Sequence, residues 1–212
     1  MFEHPAANRR IRYETGFVDR RGRRRAISGQ FIGSSVSSAR FETSPDITVN
    51  ARRTAMHITT LLHERSIALD LDVRTKEEAL DALVSLLASS PKVTDAAALR
   101  QAVMDREALN TTGIGNGIAL PHAKTDAVTD MMLGLGIMRE PIDFHSIDDQ
   151  PVRIIALLVG VETRVGTYLK LLSRVRRLMN SATFRKRLLQ ATSPAEAIAA
   201  FNEEEDRYFE MA

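Results

Sequence analysis

The chain has 212 residues, enough for one full-sized core and a short appendage, with 44% hydrophobic and 26% charged residues as in ordinary globular proteins. It contains no cysteine, which excludes disulfides, thiol nucleophiles and Cys-based metal sites and fits a reducing cytoplasm. No apolar run reaches bilayer-spanning length and no hydrophobic stretch follows the arginine-rich N-terminus, so neither membrane insertion nor a secretory signal is expected.

Residues 1–55 hold eleven arginines, no lysine and five acidic residues, a local balance of +6 that leaves −4 for residues 56–212. The basic character therefore belongs to the leader, and no nucleic-acid binding is expected from the rest. Arg23-Arg24-Arg25, a Ser-rich patch at 34–38 and scattered glycines show no sustained helical or strand period. The simplest reading is a disordered leader, because too few apolar residues recur on one face to offset ordering entropy. Two others stand beside it: an arginine-rich arm for nucleic acid or acidic surfaces, and sequence lying upstream of a true start at Met56.

From Met56 the texture changes. His57–Leu62 reads as a short helical or turn segment and Ser66–Leu71 as a strand. Thr75 and Glu78 form a capping box, and Leu80, Leu83, Val84 and Leu87 recur at helical spacing, so a helix is predicted over 76–89, stopped by Pro91. A second helix is predicted from Asp95 to about Glu107. Ile118–Leu120, Met132–Met138 and Val152–Val159 are apolar runs bounded by Gly, Pro and polar residues; the last, nearly continuous, predicts a strand buried on both faces. Helices are predicted at Thr167–Asn180, at Ala182–Ala191 and from Ala195 onward after Ser193-Pro194. In the first of these, Leu171, Leu172, Val175, Leu178 and Met179 form a core stripe. Lys170, Arg174, Arg176 and Arg177 lie on or near its wet side, as a solvated face or a dock for an acidic partner. Helices before, strands between and helices after imply an α/β (α+β) fold, a mixed β-sheet sandwiched by helices, over residues 56–205 with a tail at 206–212.

The chemistry concentrates in residues 106–124. Gly113, Gly115 and Gly117 alternate where a backbone must bend or approach a ligand closely, and exposed amides in such a loop can form an anion-binding concavity. Thr111 and Thr112 add hydroxyl donors, and Pro121 fixes the backbone ahead of His122. Each signal is weak alone. The glycines match neither the dinucleotide fingerprint nor a nucleotide phosphate loop, and a lone histidine after a strand is more often structural than catalytic. Together they set phosphate-compatible donors beside a nucleophile whose neutral nitrogen is available near pH 7.

Arg106-Glu107 followed by Thr111-Thr112-Gly113-Ile114-Gly115-Asn116-Gly117-Ile118-Ala119-Leu120-Pro121-His122 resembles the active-site signature of the fructose/mannitol-type enzyme IIA domains of the phosphotransferase system, and closely its nitrogen-regulatory branch. The resemblance continues through Pro141–Phe144, Asp148–Val152 and the closing helices. It implies the type-2 enzyme IIA fold and a cytoplasmic phosphotransferase component. His122 would take a phosphoryl group from HPr or an HPr-like carrier and pass it to an enzyme IIB domain, or use it to control a regulated target protein. It also implies Arg106 as the charge-stabilising cation, with Thr111, Thr112, Gly113, Gly115 and Asn116 as phosphate-binding residues. Phosphoryl transfer asks mainly for positioning and charge stabilisation, which a guanidinium fork and backbone amides supply. Nothing resembles an ATP site or a carboxylate cluster for Mg²⁺, so no cofactor is expected and the donor should be another protein.

One position departs from the family pattern. Many members carry a second histidine on the helix after the buried strand, where this chain has Tyr168. A phenol can donate one hydrogen bond to phosphate but brings no titrating positive charge near neutrality; equally, it can simply pack on the helix. His4, His57, His63 and His145 read as surface residues without ligand-spaced partners, and no metal site is expected. Three functions therefore remain in view: a phosphoryl carrier, a binding module that keeps the fold without transfer, and nucleic-acid binding through the leader.

Overall fold

The computed structural model describes Phe17–Val18, Arg24–Arg25 and residues 57–210, with side chains through residue 208. Strands β1 (Phe17–Val18) and β2 (Arg24–Arg25) pair antiparallel within the first of two compact units, Met1–Asp46 and Ile47–Ala212. The expected disorder of residues 1–55 and the proposed start at Met56 otherwise lie outside the described residues.

In the second unit, short 3-10 turns (Ile58–Leu61 and Glu64–Ser66) lead into β3 (Ile67–Leu71). Helix α1 (Lys76–Ala88) starts where Thr75 accepts the Glu78 amide; the Glu78 carboxylate returns to the amide of Arg74, one residue earlier than expected. Asp95 caps α2 (Ala96–Leu109), accepting from the amides of Ala97 and Ala98. After the strands, α3 (Val165–Asn180), α4 (Ala182–Gln190) and α5 (Pro194–Glu210) close the chain, the last running past the 205 boundary expected from sequence.

The sheet has six strands: β3, β7 (Met132–Ile142), β8 (Val152–Gly160), β5 (Ile118–Ala119) and β4 (Gly113–Gly115) in that order, with β6 (His122–Lys124) also on β8. Strand β8 (Val152–Gly160) is central, antiparallel to β7 (Met132–Ile142) on one side. On its other side it pairs in parallel first with β5 (Ile118–Ala119) and then with β6 (His122–Lys124). These are two lengths of one broken strand, bridged across the break by the Leu158 amide donating to the Pro121 carbonyl at 3.0 Å. Eight of the nine residues of β8 are buried, as expected for a strand covered on both faces, and only Arg153 is exposed.

Alternation along β8 sorts the core into two layers. Ile154, Ala156 and Leu158 face Leu171, Val175, Phe184 and Phe201 from α3, α4 and α5. Ile155, Leu157 and Val159 face Leu80, Leu83, Leu87, Leu99 and Val103 from α1 and α2. Each fully buried leucine contributes about 2 kcal/mol by its removal from water. His122 stands in register with Leu158, on a strand that has β8 on one side and, among the described residues, no strand on the other. The break at Pro121 thus puts His122 on a sheet edge between α2 and α3.

Candidate functional site

His122, Arg106 and Tyr168 line one open cavity of about 550 Å³. Its walls come from the end of α2 (Ala102, Asp105, Arg106, Leu109), from β6 (His122, Lys124) and from the start of α3 (Tyr168, Leu169, Leu172). Sequence spreads Arg106, His122 and Tyr168 over more than sixty positions; the sheet edge brings them together.

His122 is half-buried, and its Nδ1 lies 2.8 Å from the carbonyl oxygen of Leu120. A carbonyl only accepts, so Nδ1 carries the proton and Nε2 keeps its lone pair. Burial lowers the His122 pKa below the usual 6.5; the Leu120 hydrogen bond opposes this, nearby Arg106 adds to it and Glu107 opposes it weakly. The ring is therefore neutral at pH 7, with one nitrogen fixed as a donor and the other free as a nucleophile.

Arg106 is half-buried at the last turn of α2, where its Nη1 donates to the carbonyl of Asn110 at 3.2 Å. A cation there complements the negative end of the helix dipole. Its field also acts on the Tyr168 phenol, opposing the effect of burial. Tyr168 is only 3% exposed, with its ring centroid 6.4 Å from that of His122 and the planes tilted by 50°. Burial raises its pKa far above the usual phenol range, so it stays neutral at any physiological pH. Gly160 makes room for it: a Cβ there would stand 2.6 Å from Tyr168 Cδ2 and 2.6 Å from Met131 Sδ.

The threonine and glycine stretch, expected from the sequence to bind phosphate, makes its contacts in this structure within the protein. Thr111, Thr112, Gly113, Gly115 and Asn116 do not line the His122 cavity. The Thr111 hydroxyl donates to the Phe144 carbonyl at 3.1 Å, and the Asn116 amide donates to Asp148 at 2.8 Å. Asn116 and Gly117 both have positive φ, 58° and 75°, and join β4 (Gly113–Gly115) to β5 as a tight hairpin. The glycines answer to the 144–148 loop: a Cβ on Gly113 would meet Ser146 backbone at 2.8 Å, and one on Gly115 would meet Asp148 at 2.8 Å. The group that approaches Gly113 and Gly115 closely is the protein's own chain.

Sequence reasoning gave no role to Glu107, yet it organises the ground beneath the site. It is 6% exposed and accepts from both the amide and the hydroxyl of Thr112, while Lys76 Nζ stands 2.6 Å from its Oε1. Lys76 also lies over the Phe144 ring, 4.8 Å from its centroid. One carboxylate thus joins the starts of α1 and β4 to the end of α2, which carries Arg106. Only its adjacency to Arg106 hinted at this in the sequence. Among the described residues no group of three His, Asp or Glu side chains is placed to hold a metal ion.

Residues 60–204 match the family model described as "Phosphoenolpyruvate-dependent sugar phosphotransferase system, EIIA 2". The chain belongs to this family. Among relatives of this EIIA domain, the fructose-specific EIIABC component of Bacillus subtilis is 35% identical over 148 residues, which cover 70% of this chain. The match spans only 23% of that longer protein's length. The nitrogen regulatory protein of Bradyrhizobium diazoefficiens is 34% identical over 143 residues, covering 68% of this chain and 92% of the relative. The crystal structure of the nitrogen regulatory protein IIA-Ntr of Neisseria meningitidis superposes with a TM-score of 0.64 at 28% identity, covering 68% of this chain and 98% of that one. The mixed α/β sandwich expected from the sequence is therefore the family's fold. No helix among the described residues is long and apolar enough to cross a membrane.

Proposed function

We propose that this EIIA domain is a phosphoryl carrier, accepting phosphate on Nε2 of His122 from HPr or an HPr-like protein in the cytoplasm. The observation that carries this reading is the Leu120 hydrogen bond to Nδ1, which leaves a neutral ring with a single nucleophilic nitrogen on a residue that lines the cavity. In the transfer, a P–N bond forms at Nε2 as the P–N bond of the donor's phosphohistidine breaks in line. Nδ1 keeps its proton, and the Leu120 carbonyl offsets the positive character that develops on the ring. Arg106 turns from Asn110 toward the phosphoryl oxygens, and the Tyr168 hydroxyl supplies a neutral donor.

Onward transfer has two destinations. The B. subtilis relative combines A, B and C components, which favours an enzyme IIB domain. The nitrogen regulatory relatives favour a controlled target protein instead. A specific feature supports a second reading, a binding module without turnover: Tyr168 contributes no charge where transfer would profit from a titrating cation.

Incubation with enzyme I, HPr and phosphoenolpyruvate, followed by mapping of acid-labile phosphate, tests the proposal. Label on His122 that is lost in His122→Ala is the expected result. An unlabelled protein, under conditions that charge a control EIIA, rejects the carrier reading and leaves the binding module.

A further inference from the structure

A second cavity, of about 260 Å³, opens among the 3-10 turns, the C-terminal end of α1 and the first residue of β7. Its apolar wall comes from Leu61, Leu87 and Met132, all buried, with Leu86 half-buried beside them. Its ionisable lining residues are His63, Arg65 and Lys92, and no carboxylate lines it. Arg65 is exposed and has no side-chain partner among the described residues. At the carbonyl end of α1, which by itself would repel an anion, two carbonyls are paired. Leu86 accepts from the Ser89 amide and hydroxyl, and Leu87 accepts from the Ser90 amide.

Ion pairs lead from this cavity to the start of α3. Lys92 Nζ lies 2.9 Å from Asp130 Oδ2, and Arg164 Nη1 lies 3.2 Å from Asp130 Oδ1. Arg164 is the N-cap residue of α3, four positions before Tyr168. Of the two residues after Asp130, Met132 lines this cavity, whereas Met131 and Tyr168 both pack against Gly160.

We propose that this cavity is an effector site for a small carboxylate with a compact apolar body, linked to the His122 cavity through Asp130. The carboxylate pairs with Arg65 and Lys92 while the body rests on Leu61, Leu87 and Met132. Drawing Lys92 away leaves Asp130 to Arg164, and displacement of Met132 is felt at its neighbour Met131 beside Tyr168. The link is a coupling free energy, so occupancy of either cavity changes affinity at the other by the same factor. A body of roughly ten non-hydrogen atoms corresponds to a Kd on the order of 1 mM. The proposal does not depend on phosphoryl transfer, because its readout is binding.

The test is an NMR titration of the full chain, labelled at methionine methyls and backbone amides, with phenylacetate as probe. Acetate (charge without body) and phenethylamine (body with opposite charge) serve as comparisons. Phenylacetate is expected to shift the Met132 methyl and the Lys92 amide saturably near 1 mM, and Arg65→Ser to weaken this about fivefold. The His122 Cε1–H signal moves in parallel, and in Asp130→Asn that movement disappears while binding at Met132 persists. No saturable shift at Met132, or an equal response to acetate or phenethylamine, overturns the site. A still His122 signal with Met132 saturated, or a His122 response surviving in Asp130→Asn, overturns the link.

Discussion

His122 Nδ1 stands 2.8 Å from the carbonyl oxygen of Leu120, two residues earlier in the same chain. Pro121 between them cannot donate a backbone hydrogen bond, and its fixed φ holds the two residues in this relation. A histidine oriented by its own backbone needs no carboxylate partner to set its tautomer. That differs physically from a catalytic histidine held by an acid, because the group hydrogen-bonded to the ring is a neutral carbonyl, and the Glu107 carboxylate raises its basicity only through its field.

The first prediction concerns the protonation of His122. Its folded pKa lies below 6.5 because burial disfavours the imidazolium. As pH falls through 6.5 the unfolded chain binds a proton that the folded protein does not, so stability drops, by up to about 1.4 kcal/mol per pH unit, until the folded pKa is passed. Nitrogen-15 NMR should show a protonated Nδ1 and a bare Nε2 at pH 7, with a titration midpoint below 6.5. Phosphate acceptance should survive to correspondingly lower pH. A midpoint above 6.5 contradicts the burial described.

Glu107 supplies the second. Glu107→Ala leaves the Thr112 amide and hydroxyl and the Lys76 ammonium without their shared acceptor, and should cost about 3 kcal/mol in urea unfolding. Glu107→Gln keeps one acceptor oxygen and should cost roughly half as much. Since Glu107 precedes Arg106's helix end, phosphorylation of His122 should slow in the alanine variant even under conditions where it remains folded.

Gly160 gives the third. Gly160→Ala pushes a methyl to within 2.6 Å of both Met131 Sδ and Tyr168 Cδ2. Overpacking of this kind costs about 1–3 kcal/mol, read as a fall in Tm. Because the Tyr168 ring must shift, the His122 ring-proton signals should move as well. Combining Gly160→Ala with Tyr168→Leu should recover part of the lost stability, which a purely backbone effect at residue 160 would not allow.

The fourth separates packing from chemistry at Tyr168. Tyr168→Phe keeps the ring and removes the hydroxyl, so Tm should change little while the rate of phosphorylation falls by up to about tenfold, the value of one hydrogen bond to a charged group. Tyr168→His introduces a group that titrates near pH 6.5. Transfer measured from pH 5.5 to 8 should then gain a dependence that the wild-type protein, with a phenol neutral throughout, lacks. Identical rates in wild type and Tyr168→Phe would assign the residue to packing alone.

The sequence by itself determined the secondary elements whose signals are local. Thr75 and Asp95 fix helix starts because short polar side chains reach orphan amides nearby. The apolar run at 152–159 can only be a strand covered on both faces, and its place at the sheet centre follows. His122 was legible as the candidate for the reactive group from its neighbours in the chain. The Asn116-Gly117 hairpin was also written locally, whereas the packing of Gly113 and Gly115 against the 144–148 loop was not. Tertiary structure alone decided the rest: that β5 and β6 share β8, leaving His122 on an edge, and that Glu107 answers to Thr112 and Lys76. It also decided that Tyr168 reaches His122 through the space left by Gly160. Those facts depend on which distant segments pack together, and propensity and periodicity carry no term for that.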